Sequence, residues 1–62
     1  MRYRHKVRGS VYKVLTIEAK ASSIIAALDG MAMVVYQSET DNQVWVRPAT
    51  EFFDGRFEEV ND

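Results

Sequence analysis

Arg2-Tyr3-Arg4-His5-Lys6-Val7-Arg8 carries a cation at every even position and an aromatic, imidazole or aliphatic side chain at every odd one. Successive side chains of a strand point to opposite faces, so this pattern reads as a strand with Tyr3, His5 and Val7 inward and four cations outward. Wound as a helix, the same residues would scatter their charges around the circumference. Gly9-Ser10 follows at once, and glycine first in a two-residue loop suits a type II′ hairpin turn. Val11 to Ile17, rich in β-branched residues, is then the returning strand. Its alternation changes phase near Val14-Leu15, which calls either for cover on both faces or for a bulge that bends the strand.

Further along, Met31 to Gln37 and Val44 to Arg47 read as a hairpin around the polar stretch Ser38–Gln43. Thr40-Asp41 and Asp41-Asn42 are both suitable turn centres, and either places Tyr36, Trp45 and Arg47 on one face. Pro48 has no N–H to donate and ends the pairing. Ala49 to Asp54 suits one tight helical turn, with Thr50 as a candidate cap and Gly55 as the exit. Arg56 to Val60 is a last short strand with Phe57 inward. The segment 18–30 stays open between two readings: a short helix capped at Ser22 or Ser23 and stopped at Gly30, or an irregular apolar strand or loop. Five short strands in consecutive hairpins, with one helical turn before the last, predict a mostly β domain. The expected form is a small antiparallel SH3-like barrel, or a highly twisted open sheet with residues 22–28 laid across it.

The chain has 62 residues, no cysteine and one histidine. That length predicts a single domain, residues 1–62, which buries only about 60% of the surface its unfolded chain exposes. Without cysteine, neither a disulfide nor a thiolate zinc site can supplement the core. The run Ile24 to Leu28 falls far short of the ~20 apolar residues that span a bilayer, so no membrane is expected. Nor does a signal-type apolar run follow the basic start, and a bacterial cytosolic location is the expectation. Net charge is −1, but residues 1–20 sum to +5 and residues 21–62 to −6.

Several short motifs occur in order: Tyr-Arg-His at 3–5, Gly-Ser-Val-Tyr-Lys-Val-Leu at 9–15, Val-Val-Tyr-Gln at 34–37 and Trp-Val-Arg-Pro at 45–48, then Glu-Phe-Phe-Asp-Gly-Arg-Phe at 51–57. Together they resemble the short bacterial and phage proteins grouped as domain of unknown function 1653. That pattern opens with Tyr-x-His, has a Gly-x-x-Tyr step and a Val-Val-Tyr strand, and closes with Trp-x-Arg-Pro and Phe. The departure is Lys20 to Asp29, where an apolar stretch stands in place of the polar turn of many members. The Asp-Gly-Arg-Phe ending resembles the phage-borne branch, which implies a phage or prophage origin. The resemblance implies a compact β domain and brings no established activity.

Catalysis has little to work with. Ser10, Ser22, Ser23 and Ser38 would all depend on His5 as base, and His5 lies on the face assigned to the core. No phosphate-cradling glycine loop occurs, and one histidine with scattered carboxylates makes a poor zinc site. Asp54, Glu58 and Glu59 sit on a charged terminal segment. No enzyme activity, cofactor or metal is expected.

Three features suit binding instead. Arg2, Arg4, Lys6 and Arg8 stand about 6.7 Å apart along a strand, near the phosphate spacing of one nucleic-acid strand. The same row also suits a guarded strand edge neutralised by the acidic last strand. Tyr36, Trp45 and Arg47 combine an aromatic surface with a planar cation, of the kind enriched at binding hot spots, or else a cross-strand packing cluster. Ile24, Ile25 and Leu28 form either an apolar interface, which also suits a homodimer, or a closure of the core. These features predict a non-catalytic module that engages a host or phage protein, with a nucleic-acid-binding barrel as the alternative.

Overall fold

A computed structural model describes residues 1–61. The elements are β1 (Arg2–His5), β2 (Val11–Lys20), β3 (Ala32–Ser38), β4 (Val44–Pro48), α1 (Ala49–Phe52) and β5 (Phe57–Glu59). They form one antiparallel sheet in the order β4-β3-β2-β1-β5. The first and last strands are neighbours, and one helical turn precedes the last strand, as the sequence predicts. This is the strand order of an SH3-like domain, but the sheet does not close. Among the described residues β4 and β5 are its two edges.

The first strand is shorter than its alternation suggests. It ends at His5, where the His5 N–H donates to the Ser10 carbonyl at 2.9 Å and the His5 carbonyl accepts from Gly9 N–H at 2.7 Å. The loop is therefore Lys6 to Gly9 rather than the two-residue turn Gly9-Ser10. Gly9 supplies the positive φ (+76°) that lets the chain re-enter the ladder. Val7 is consequently 90% exposed and not inward. Lys6 and Arg8 leave the strand with it.

β2 bends where its apolar pattern changes phase. Val14 lies opposite Tyr36, but Thr16 lies opposite Val35 and Ala19 opposite Met33. Each step places one extra β2 residue against β3, so two irregularities curl the long strand around the core. Residues 21–31 then form a loop of turns with no helix, and Ile24, Ile25 and Leu28 are exposed instead of packed against the sheet. Gly30 (φ +80°) donates its N–H to the Ala21 carbonyl at 2.7 Å and closes that loop.

The β3–β4 hairpin pairs Gln37 with Val44 and Tyr36 with Trp45, the register centred on Thr40-Asp41. In α1 the N-cap position is held by Pro48 with no side-chain cap bond, so Thr50 is not the cap. Proline's fixed φ suits the start of a helix and needs no N–H there. The turn serves to carry Phe52 over the concave face of the sheet. Phe52 stacks on Phe57 with ring centres 4.3 Å apart and 12° between planes. Its ring also meets Tyr36 and Tyr3, each at 5.2 Å. Tyr12, Val34, Tyr36, Phe52 and Phe57 are the buried core, with Tyr3, Val14 and Ala49 against it.

Candidate functional site

Cross-strand pairing decides which side chains meet. Tyr36 faces Trp45 and Val34 faces Arg47 across the hairpin, so Trp45 and Arg47 share the concave face with the core. They differ from core residues because β4 is an edge strand with no neighbour beyond it. Trp45 is accordingly 52% exposed. Arg47 is anchored: its Nε donates to the Tyr36 hydroxyl at 3.3 Å, and its guanidinium carbon lies 5.7 Å from the Phe57 ring centre. The bond to Tyr36, helped by the negative charges of Glu51 and Asp54, holds Arg47 above its ordinary range against the opposing effect of burial.

The 6–9 loop brings a second cation to this place. Arg8, Tyr12, Tyr36, Trp45 and Arg47 line one cleft of about 90 Å³. The loop is fastened from below, where His5 Nδ1 accepts the backbone N–H of Arg8 at 3.2 Å and the His5 ring sits edge-on to Phe57 at 5.1 Å. Burial, followed by the charges of Arg8, Arg47 and Arg56, pushes the His5 imidazole below its usual range. Three guanidinium charges thus act in the same direction on one histidine. Arg56 is satisfied by Asp54 at 3.0 Å, whereas Arg8 and Arg47 have no ion-pair partner among the described residues.

The expected row of four cations is divided. Arg2 forms a two-pronged pair with Glu39, Nε to Oε2 at 2.7 Å and Nη2 to Oε1 at 3.0 Å. That contact holds Arg2 above and Glu39 below their ordinary ranges. Arg4 pairs with Glu58 of the neighbouring β5 at 3.3 Å. Lys6 and Arg8 stand on the loop instead of the strand.

Ile24, Ile25 and Leu28 lie in the 21–31 loop, at the opposite end of the sheet from the 6–9 and 39–43 loops. The loop is shaped by local bonds: Ser23 Oγ accepts from Ile25 N–H, and Asp29 Oδ1 accepts from Ser23 N–H. Ile24 is fully exposed, and Ile25 and Leu28 are exposed as well. The structure does not bring these three residues to the cleft.

Sequence reasoning sets Arg8 in the basic row and not beside Arg47, and does not set Tyr12 against Tyr36 as a wall of the cleft. The signal for Arg8 was Gly9. Read as the left-handed closing position of a four-residue loop, it turns Arg8 off the cationic row. Among the described residues no group of three or more His, Asp or Glu side chains is placed to hold a metal. No helix there is long and apolar enough to cross a membrane.

These features define a small β domain whose distinguishing surface is a cationic, aromatic cleft at an open sheet edge. The chain matches the family model described as protein of unknown function (DUF1653) over residues 1–60, and it belongs to that family. No curated protein and no solved structure matches it.

Proposed function

We propose that this protein is a non-catalytic binding module of phage or prophage origin that docks on another protein in the bacterial cytosol. Its docking surface is the face of Tyr36, Trp45 and Arg47, extended by Arg8. The observation that carries this reading is the half-exposed Trp45 beside two arginines that lack carboxylate partners among the described residues. Exposed Trp beside Arg is the composition of interface hot spots. Arg47 is held by its bond to Tyr36 and its place near the Phe57 ring, so little of its side-chain freedom is lost on binding.

The nucleic-acid alternative draws its support from Lys6 and Arg8 alone, because Arg2 and Arg4 are already engaged by Glu39 and Glu58. A backbone-tracking site needs several cations in a row and weakens steeply with salt. Oligonucleotide titration at low and moderate salt tests it, and absence of binding at low salt removes it.

Capture from a bacterial lysate tests the protein-binding reading, with wild type beside Trp45→Ala and Ile25→Asp. The expected result is a partner retained by Ile25→Asp and lost by folded Trp45→Ala. Loss with Ile25→Asp alone moves the surface to the 21–31 loop and overturns the assignment.

A further inference from the structure

The cleft adjoins an unpaired backbone edge. Ser38 N–H donates to the Gln43 carbonyl at 2.9 Å, and the same register continues through Gln37↔Val44 and Tyr36↔Trp45. Backbone bonding alternates along an antiparallel strand. The groups of Trp45 and Arg47 therefore turn toward β3, and those of Val44 and Val46 turn toward the open side. Gln43 Nε2 already covers the Val44 carbonyl at 3.3 Å, and Pro48 has no N–H. The usable edge is thus short, centred on Val46. A strand laid along it would project alternate side chains onto the concave face, beside Trp45 and Arg47.

We propose that β4 accepts an extended segment of a partner protein and that this segment seats a carboxylate side chain in the Arg8/Arg47 cleft. The inference rests on the protein-binding reading and names the chemistry of its partner. Charge favours it, since among the described residues Arg8 has no ion pair, and Arg47 hydrogen-bonds there only through Nε while its guanidinium lies near the Phe57 ring. A planar guanidinium with free terminal nitrogens matches a carboxylate in a forked geometry. Size favours it too. A cavity of about 150 Å³ holds a benzene ring, so a cleft of about 90 Å³ takes a smaller group. Glu51 and Asp54 act on the same Arg47 and weaken its pull on any anion, so Arg8 supplies most of the attraction and a single carboxylate fits better than a polyanion. The other edge, β5, is three residues long with two glutamates and offers no equivalent place.

The test is an NMR titration of the labelled full chain with two blocked pentapeptides. Each has valines and threonines around a central residue, aspartate in one and asparagine in the other. The aspartate peptide is expected to bind about tenfold tighter or better, from the charge-assisted bonds. Its shifts should centre on residues 44–47 and the Trp45 indole. Arg8→Gln keeps the backbone bond to His5 and should bring the ratio of affinities toward one. Equal binding of the two peptides, no shift at millimolar peptide, or an unchanged ratio in Arg8→Gln overturns the proposal. So does displacement of the aspartate peptide by a short single-stranded oligonucleotide at moderate salt. If any of these occurs while Trp45→Ala still abolishes partner capture, the carboxylate inference falls and the docking face stands.

Discussion

Arg47 donates through Nε to the buried hydroxyl of Tyr36 at 3.3 Å, tying an edge-strand cation to the middle of the aromatic core. Tyr36→Phe keeps the ring contacts with Tyr12, Phe52 and Phe57 and removes only that acceptor. The expected loss is about 1 kcal/mol, typical of a single hydrogen bond, read from the urea midpoint. A loss of several kcal/mol would mean that the hydroxyl holds more than Arg47.

Phe52 and Phe53 are adjacent in sequence and opposite in consequence. Phe52 is almost fully buried, while Phe53 is 52% exposed. Truncating a buried Phe to Ala costs about 3–5 kcal/mol, comparable to what a single core of this size supplies. Phe52→Ala should therefore abolish the cooperative thermal transition followed by circular dichroism. Phe53→Ala should leave one, lowered by a few degrees. Equal effects would contradict the placement of α1 over the core.

His5 makes stability depend on pH in a defined direction. Its folded pKa lies below the ordinary 6.5, through burial first and then Arg8, Arg47 and Arg56. The unfolded chain therefore takes up the proton first as pH falls. The contribution is complete above the unfolded value, is lost as pH drops through about 6.5, and levels off below the folded value. Protonation also removes the acceptor that Nδ1 offers to Arg8 N–H. Urea midpoints at pH 7.5 and pH 5.0 should fall for wild type and fall less for His5→Gln. The Glu39 carboxylate titrates in a lower window, since Arg2 holds it below 4.5, and does not overlap this effect. An identical fall in both proteins would exclude His5 as the source.

Asn42 closes the β3–β4 hairpin at φ +63°, the only described residue other than glycine with a positive value. Asn42→Gly keeps that conformation without strain and should change stability little. Asn42→Val should cost about 1–2 kcal/mol. Because the backbone carbonyl of Asn42 still accepts from Gln37 Nε2 in both variants, the difference isolates the backbone term. Equal melting points would contradict this turn geometry.

Alternation made most of the sheet legible. The odd positions Tyr3 and His5 do face the core side, and the odd register of the hairpin does put Tyr36, Trp45 and Arg47 on one face. The phase change at Val14-Leu15 marks a real irregularity in β2. What failed was the length of one loop. Arg2-to-Arg8 alternates without a break, so periodicity alone gives no sign that the strand stops at His5. The stop comes from a tertiary choice, with His5 binding the loop through Nδ1 and Gly9 taking a left-handed conformation. That displacement of Lys6 to Gly9 exposed Val7 and delivered Arg8 to the cleft. Closure into a barrel was illegible for a related reason. It depends on whether β4 and β5 meet, and neither strand's own pattern encodes its distance from the other.

The central claim, that the concave face beside β4 is the docking surface, is tested most directly by hydrogen exchange on the protein bound to its captured partner. Protection gained over the free protein should map to residues 34–38, 44–47 and the 6–9 loop, with residues 21–31 unchanged. Protection confined to residues 21–31, or to β1 alone, would contradict the account.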